Sequence, residues 1–254
     1  MSHFEIQGGT DRGLVRKNNE DSIVYCQFDD ANAALAAVAD GVGGYEGGEV
    51  ASKLAVDTLE QMISIDVLQR ENTGGFTEQW LENQLVHALV NINQQVIDQQ
   101  SQDQLLSSMS TTLVALLFKD NQFTLANLGD SRCYRIRNRE IQLLSKDHTV
   151  AQQMLDNGAI SQAQYMQSPY HHVLSKGIGL ENVITPAMYS SMWVAGDVFL
   201  LCSDGLTNTL SDDEILAVVS GASDLQGCVD ELITRANDAG GGDNISVVLV
   251  RCLG

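Results

Sequence analysis

The sequence predicts an α+β fold in which antiparallel sheets are covered by helices, and three observations carry that expectation. Short apolar runs with period-two alternation follow one another without helices between them, the mark of antiparallel neighbours. Longer segments with apolar residues every three or four positions gather in separate blocks. Strict strand–helix–strand alternation is absent.

Strands are expected over Phe4–Gly8, Ser22–Phe28, Ala33–Ala39 and Thr111–Lys119. Others are expected over Gln122–Leu128, Arg132–Arg137, Val198–Cys202 and Ile245–Val250. The turn Asp120–Asn121 joins two of them into a hairpin. A helix over 49–63 carries the stripe Ala51, Leu54, Ala55, Leu59 and Met62; one over 78–100 carries Leu81, Leu85, Ala88, Leu89, Ile92 and Val96. A third starts near 150 and stops at Asn157–Gly158. Two more open on capping boxes, Ser211 with Glu214 and Ser223 with Gln226. Repeats and long linkers are absent, so one domain over 1–254 is expected. The least patterned stretches are 69–77 and 156–182.

Composition narrows the class. With 44% apolar residues, 19% charged residues and two prolines, this is a folded globule. No apolar run reaches the roughly 18 residues that cross a bilayer. The opening MSHFEIQGGTDRG lacks a basic stretch followed by an apolar one, so a cytoplasmic location is expected. The five cysteines form no CxxC pair, which argues against a disulfide framework or zinc knuckle. A net charge of −19 argues against non-specific nucleic-acid binding and against anionic membranes.

Four acids break the strand logic. Ala33–Ala39 runs into Asp40-Gly41, Gln122–Leu128 into Gly129-Asp130, and Val198–Cys202 into Ser203-Asp204-Gly205; Asp243-Asn244 leads into Ile245–Val250. Side chains alternate faces along a strand. By parity Asp40 goes with Val38, Asp204 with Leu200 and Cys202, and Asp243 with Val247 and Leu249. A buried carboxylate needs compensation. No lysine or arginine flanks Asp40, Asp204 or Asp243 closely, so a hard divalent cation is the economical partner. A lone Asp-Gly is commonly just a tight turn; four at strand ends point to a shared site. Arg16, four residues before Glu20 and five before Asp21, reads as a surface ion pair or as a planar clamp for a phosphate.

The ordered set Gly13-Leu14-Val15-Arg16, Asn19-Glu20-Asp21, Ala39-Asp40-Gly41-Val42-Gly43-Gly44, Gly129-Asp130-Ser131-Arg132, Cys202-Ser203-Asp204-Gly205-Leu206 and Gly242-Asp243-Asn244 resembles the metal-dependent type-2C (PPM) protein phosphatases, most closely the short bacterial ones. The resemblance implies a four-layer α-β-β-α sandwich, two antiparallel sheets face to face with helices outside. It implies two divalent cations, manganese or magnesium, with Asp40 bridging them and the Gly41 carbonyl binding one. Asp204 and Asp243 would hold the first ion and Glu20 the second, with Asp21 behind it. Asp130 matches the ligand of a weaker third ion, and Arg16 the phosphate-binding arginine.

The activity so implied is hydrolysis of phosphoserine and phosphothreonine by a metal-activated bridging water, opposing bacterial Ser/Thr kinases. The implied partners are phosphorylated proteins, a Ser/Thr kinase and its substrates; a monomer is expected. A catalytically dead scaffold and a small-ester phosphohydrolase are the competing classes. Where some relatives carry histidine after the Asp-Gly, this chain has Val42, and where many bacterial ones carry histidine further on, it has Tyr45. Residues 156–180 fall at the family's flap, with Ser168-Pro169 and Tyr170-His171-His172 replacing the usual His-Pro and Arg-Asn. With no third ligand nearby in sequence, the paired histidines read as a solvated loop. His148 reads as helix-entry polarity. The run Gly41–Gly48 is not a P-loop, because no Gly-Lys-Ser/Thr follows.

Overall fold

The computed structural model describes residues 3–28, 32–43, 47–70, 77–222 and 224–254. Gly44, Tyr45, Ser223 and most of 69–77 lie outside the described residues.

One sheet has five strands: β1 (Phe4–Asp11), β7 (Arg132–Arg137), β8 (Glu140–Leu143), β10 (Val198–Cys202) and β11 (Ile245–Cys252). Their order is β1-β11-β10-β7-β8, antiparallel throughout. The other sheet contains β2 (Asp21–Phe28), β3 (Ala33–Val42), β5 (Leu113–Lys119), β6 (Gln122–Leu128) and β9 (Ala187–Met192) in the order β2-β3-β5-β6-β9. The short β4 (Ser110–Thr111) pairs with the end of β3. The expected hairpin is β5–β6, with Asp120 left-handed at its turn (φ 52°).

Alternation sorts the strands into layers. Ala34, Ala36 and Val38 of β3 and Val114, Leu116 and Phe118 of β5 face Phe199, Leu201, Val248 and Val250 of the first sheet. The other faces of β3 and β5 carry Leu35, Ala37, Leu113 and Leu117. These pack under α1 (Gly47–Arg70) and α2 (Glu78–Gln102) through Leu59, Ile63, Leu85 and Leu89. Leu200, Cys202, Val247 and Leu249 on the opposite side meet α6 (Asp212–Gly221) and α7 (Leu225–Asp238) through Ile215, Val229 and Leu232. The result is the four-layer α-β-β-α sandwich. Short helices α3 (Val150–Asp156), α4 (Gln162–Tyr165) and α5 (Asp204–Thr207) sit in the connections.

Three differences from the sequence reading have local causes. The second capping position belongs to Asp224, which accepts from Gly227 N–H. Strands β8 and β9 are sheet edges with little buried apolar surface, so their alternation was too weak to read. And β3 runs on to Val42, which puts Asp40 inside the sheet rather than after it.

Candidate metal centre

The site lies at one end of the sandwich, where the chain crosses between sheets three times, the third through the connection 144–186 from β8 to β9. The first crossing is the loop from β1 to β2, residues 12–20; the second is Gly129–Ser131, from β6 to β7. Gly129 takes a left-handed φ of 116° to make that turn.

The first loop is tied down by the Gly241–Asn244 turn. Leu14 N–H donates to Gly241 O at 2.8 Å. The Asn244 amide accepts from Glu20 N–H (2.8 Å) and donates to Arg12 O and Asn18 O (2.8 and 2.9 Å). So held, Arg16 places Nη2 2.7 Å from Asp243 Oδ2.

Asp21 and Asp40 face each other directly across the β2–β3 ladder. Like charges so placed repel. Burial raises the Asp40 carboxyl well above the ordinary range, and Asp21, Asp204, Asp130 and Asp243 push it further. Asp21 is pushed up to about 7 by burial and by the charges of Asp204 and Asp243, against hydrogen bonding to Ser246 and Ser203. The Ser203 hydroxyl donates to Asp21 Oδ2 at 2.7 Å.

Asp40 is fixed by threonines. Its N–H donates to Thr112 Oγ1, and its carbonyl accepts from Thr111 Oγ1, each at 2.9 Å. Thr112 Oγ1 also bonds Ser131 Oγ at 2.7 Å, which couples the Asp40 strand to the Asp130 turn. That turn is held from behind by His148, whose Nδ1 accepts from Gly129 N–H. Asp130 is likewise pushed up to about 7, by burial first and then by Asp204 and Asp147. At Gly41 a Cβ would collide with the Gly48 and Glu20 carbonyl oxygens, so only glycine lets these backbones close around the site.

Asp204 begins α5, and its raised pKa comes from burial and then Asp243. Asn208 donates to its Oδ2 at 3.0 Å, while its Oδ1 is buried with no hydrogen-bond partner. Burial also raises Glu20, with Arg16 opposing.

The alternation argument holds for Asp40, whose neighbours Ala36 and Val38 face the inter-sheet core. It does not hold for Asp204 and Asp243. Their parity partners Cys202 and Val247 face the helices, and both acids lie outside the strands, Asp204 at the start of α5 and Asp243 in the turn before β11.

A cavity of about 990 Å³ is walled by Glu20, Asp40, Gly41, Asp130, Asp204 and Asp243. Among the described residues Arg16 is the only lysine or arginine on its wall, and His172 lines it too. Asp21 stands behind the wall. Among the described residues no group of three His, Cys, Asp or Glu side chains is, as it stands, arranged to hold an ion. Asp243 is turned toward Arg16, and Asp204 is shared with Asn208. Thr111, Thr112, Ser203, Asn244 and His172 were missed as site residues. The run Ser110-Thr111-Thr112 ahead of an apolar strand was the readable signal for the first two.

The comparisons agree with this architecture. The protein phosphatase 2C family pattern matches residues 9–246. The serine/threonine phosphatase stp of Listeria monocytogenes is 34% identical over 248 residues, covering 98% of this chain and 95% of that protein. The crystal structure of the Mycobacterium tuberculosis serine/threonine phosphatase PstP/Ppp superposes with a TM-score of 0.86 at 33% identity, covering 99% of each chain. The catalytic domain of PstP in complex with two manganese ions gives a TM-score of 0.82 at 32% identity, again over 99% of each chain. On the full span of that match, and with the sandwich and its acidic end in place, the chain belongs to the protein phosphatase 2C family.

Proposed function

We propose that this chain hydrolyses phosphoserine and phosphothreonine on proteins, using divalent cations held at the acidic end of the sandwich. The observation that carries the reading is the wall of five carboxylates around a single arginine among the described residues. So many carboxylates around one cavity, several of them desolvated, demand positive charge, and one guanidinium does not supply it. The donors fit a hard ion: all are oxygens, Asp204 Oδ1 is buried without a partner, and Asp40 faces Asp21 across the ladder. Asp40, Asp204, Asp243, Glu20 and the Gly41 carbonyl would hold two ions, manganese or magnesium. Asp130 would serve a weaker third. Asp21 would act from behind Glu20, oriented by the Ser203 hydroxyl.

Two bound cations supply a water acidified to near neutral pH and positive charge for the phosphoryl oxygens. Asp40 is positioned at its backbone by Thr111 and Thr112, so its carboxylate reaches the cavity in one orientation. Arg16 presents a planar fork to two phosphoryl oxygens once it turns from Asp243. A thiol nucleophile is disfavoured: no cysteine lines the cavity, and burial raises the thiols of Cys26, Cys133, Cys202, Cys228 and Cys252. The domain would span 1–254, with residues 156–180 as a flap beside the cavity. The partners would be phosphoproteins, including a Ser/Thr kinase and its substrates, met by a monomer in the cytoplasm.

The test is hydrolysis of p-nitrophenyl phosphate and phosphopeptides with manganese, magnesium or a chelator. Chelation is expected to abolish turnover, and Asp40→Asn to lower kcat at least about a hundredfold. Activity that survives either treatment would overturn the reading.

A further inference from the structure

We propose that His172 gives a nitrogen donor to the cation held at Asp204, making that position prefer manganese, a transition ion that accepts imidazole nitrogen, over magnesium. The inference rests on the cation reading above. His172 Nδ1 stands 3.8 Å from Asp204 Oδ2. Two donors each about 2.1 Å from one ion lie roughly 3.0 Å apart when adjacent in an octahedron and roughly 4.2 Å apart when opposed. The observed spacing falls between these, so a small rotation of one side chain brings both onto one ion.

The sequence suggested a solvated loop because it showed no third ligand near the paired histidines. The fold supplies an acid from a different element. It also holds the loop: Val150 N–H donates to Val173 O at 2.8 Å, and Ala151 N–H to Tyr170 O at 3.3 Å. Leu174 bridges Thr149, and Ser175 N–H donates to His148 O. The backbone on both sides of His172 is therefore clamped to the start of α3. The imidazole itself is 66% exposed and free to turn toward the cavity it lines. His171 is engaged elsewhere, edge-on to the Tyr165 ring at 4.5 Å.

A plain ion pair is the competing account. At this exposure it contributes little, and it leaves Asp204 Oδ1 buried without a partner. A cation shared by Oδ2 and the imidazole gives the histidine a role that the weak ion pair does not, and Oδ1 can join it when the carboxylate binds through both oxygens. Manganese, a transition ion, tolerates a nitrogen ligand among its oxygens, whereas magnesium keeps oxygen ligands and water.

The experiment is manganese and magnesium binding to the full chain by calorimetry, with pulsed electron paramagnetic resonance on the manganese form. The wild-type spectrum is expected to carry nitrogen coupling from a directly bound imidazole. His172→Ala should remove it, lower manganese affinity at least about tenfold and leave magnesium affinity within about twofold. His171→Ala should keep the coupling. Manganese bound without nitrogen coupling, or coupling that survives His172→Ala, overturns the role of His172 and leaves the carboxylate site standing. No manganese binding at all overturns both.

Discussion

Asn244 bonds Glu20, Arg12 and Asn18 with one amide, and so fixes the Arg16 loop against the Asp243 turn. Asn244→Ala is expected to cost about 1–3 kcal/mol, because three backbone groups lose the buried amide that ties them together. It should also weaken manganese binding; urea unfolding and calorimetry on the same variant measure both. The carboxylates make a second statement at this scale. Asp21 and Asp130 titrate near 7 rather than at the usual 3.8. A raised folded pKa means the folded chain binds more protons than the unfolded chain between those values, so stability falls as pH rises through that window. Chelated protein is therefore expected to melt several degrees lower at about pH 8 than at about pH 5, and saturating manganese should cancel the drop. A chelated melting point that climbs over the same range would contradict this. Much of the residue scale was legible: each acid at a strand end was visible against its apolar run. Which way it pointed was legible only for Asp40, since Asp204 opens α5 and Asp243 sits on a turn, where strand alternation gives no direction.

Helix α2 does more than cover a sheet. Its buried Asn93 accepts from Gly179 N–H and donates to Glu181 O (2.8 and 2.9 Å), and Gln100 donates to Gly179 O and Met109 O. Together they anchor the far end of the 156–180 segment, while α3 anchors its middle. Asn93→Leu is expected to cost about 1–3 kcal/mol and to raise KM for phosphopeptides more than for p-nitrophenyl phosphate. Equal effects on the two substrates would separate the anchor from substrate handling. The apolar stripe of α2 was plain in the sequence. Asn93 interrupts it one position after Ile92, and a polar residue on a buried face was the available signal that this helix holds something. Strands β8 and β9 gave no comparable signal, because neither has a fully buried residue to mark an apolar face.

At the scale of the whole molecule, a net charge of −19 surrounds a cavity with one arginine on its wall. Basic phosphopeptides should therefore be captured faster than acidic ones. Their kcat/KM is expected to fall more steeply between roughly 50 and 300 mM salt than that of a neutral peptide, as the Debye length shortens. A stopped-flow or steady-state salt series decides it. The layer order was not legible from patterning alone, since pairings such as β1 with β11 join residues more than two hundred positions apart. That pairing reaches beyond architecture. The second sheet, from Asp21 to Met192, closes on itself within one continuous stretch, whereas the first needs Phe4–Asp11 to wait for Ile245–Cys252. During synthesis on the ribosome, a nascent chain can complete the half that carries Asp40 and then pause with its opening strand unpaired. Asp204 and Asp243 follow the second sheet in sequence, so a product cut just after Met192 would carry the strand of Asp40 but lack two acids of the centre.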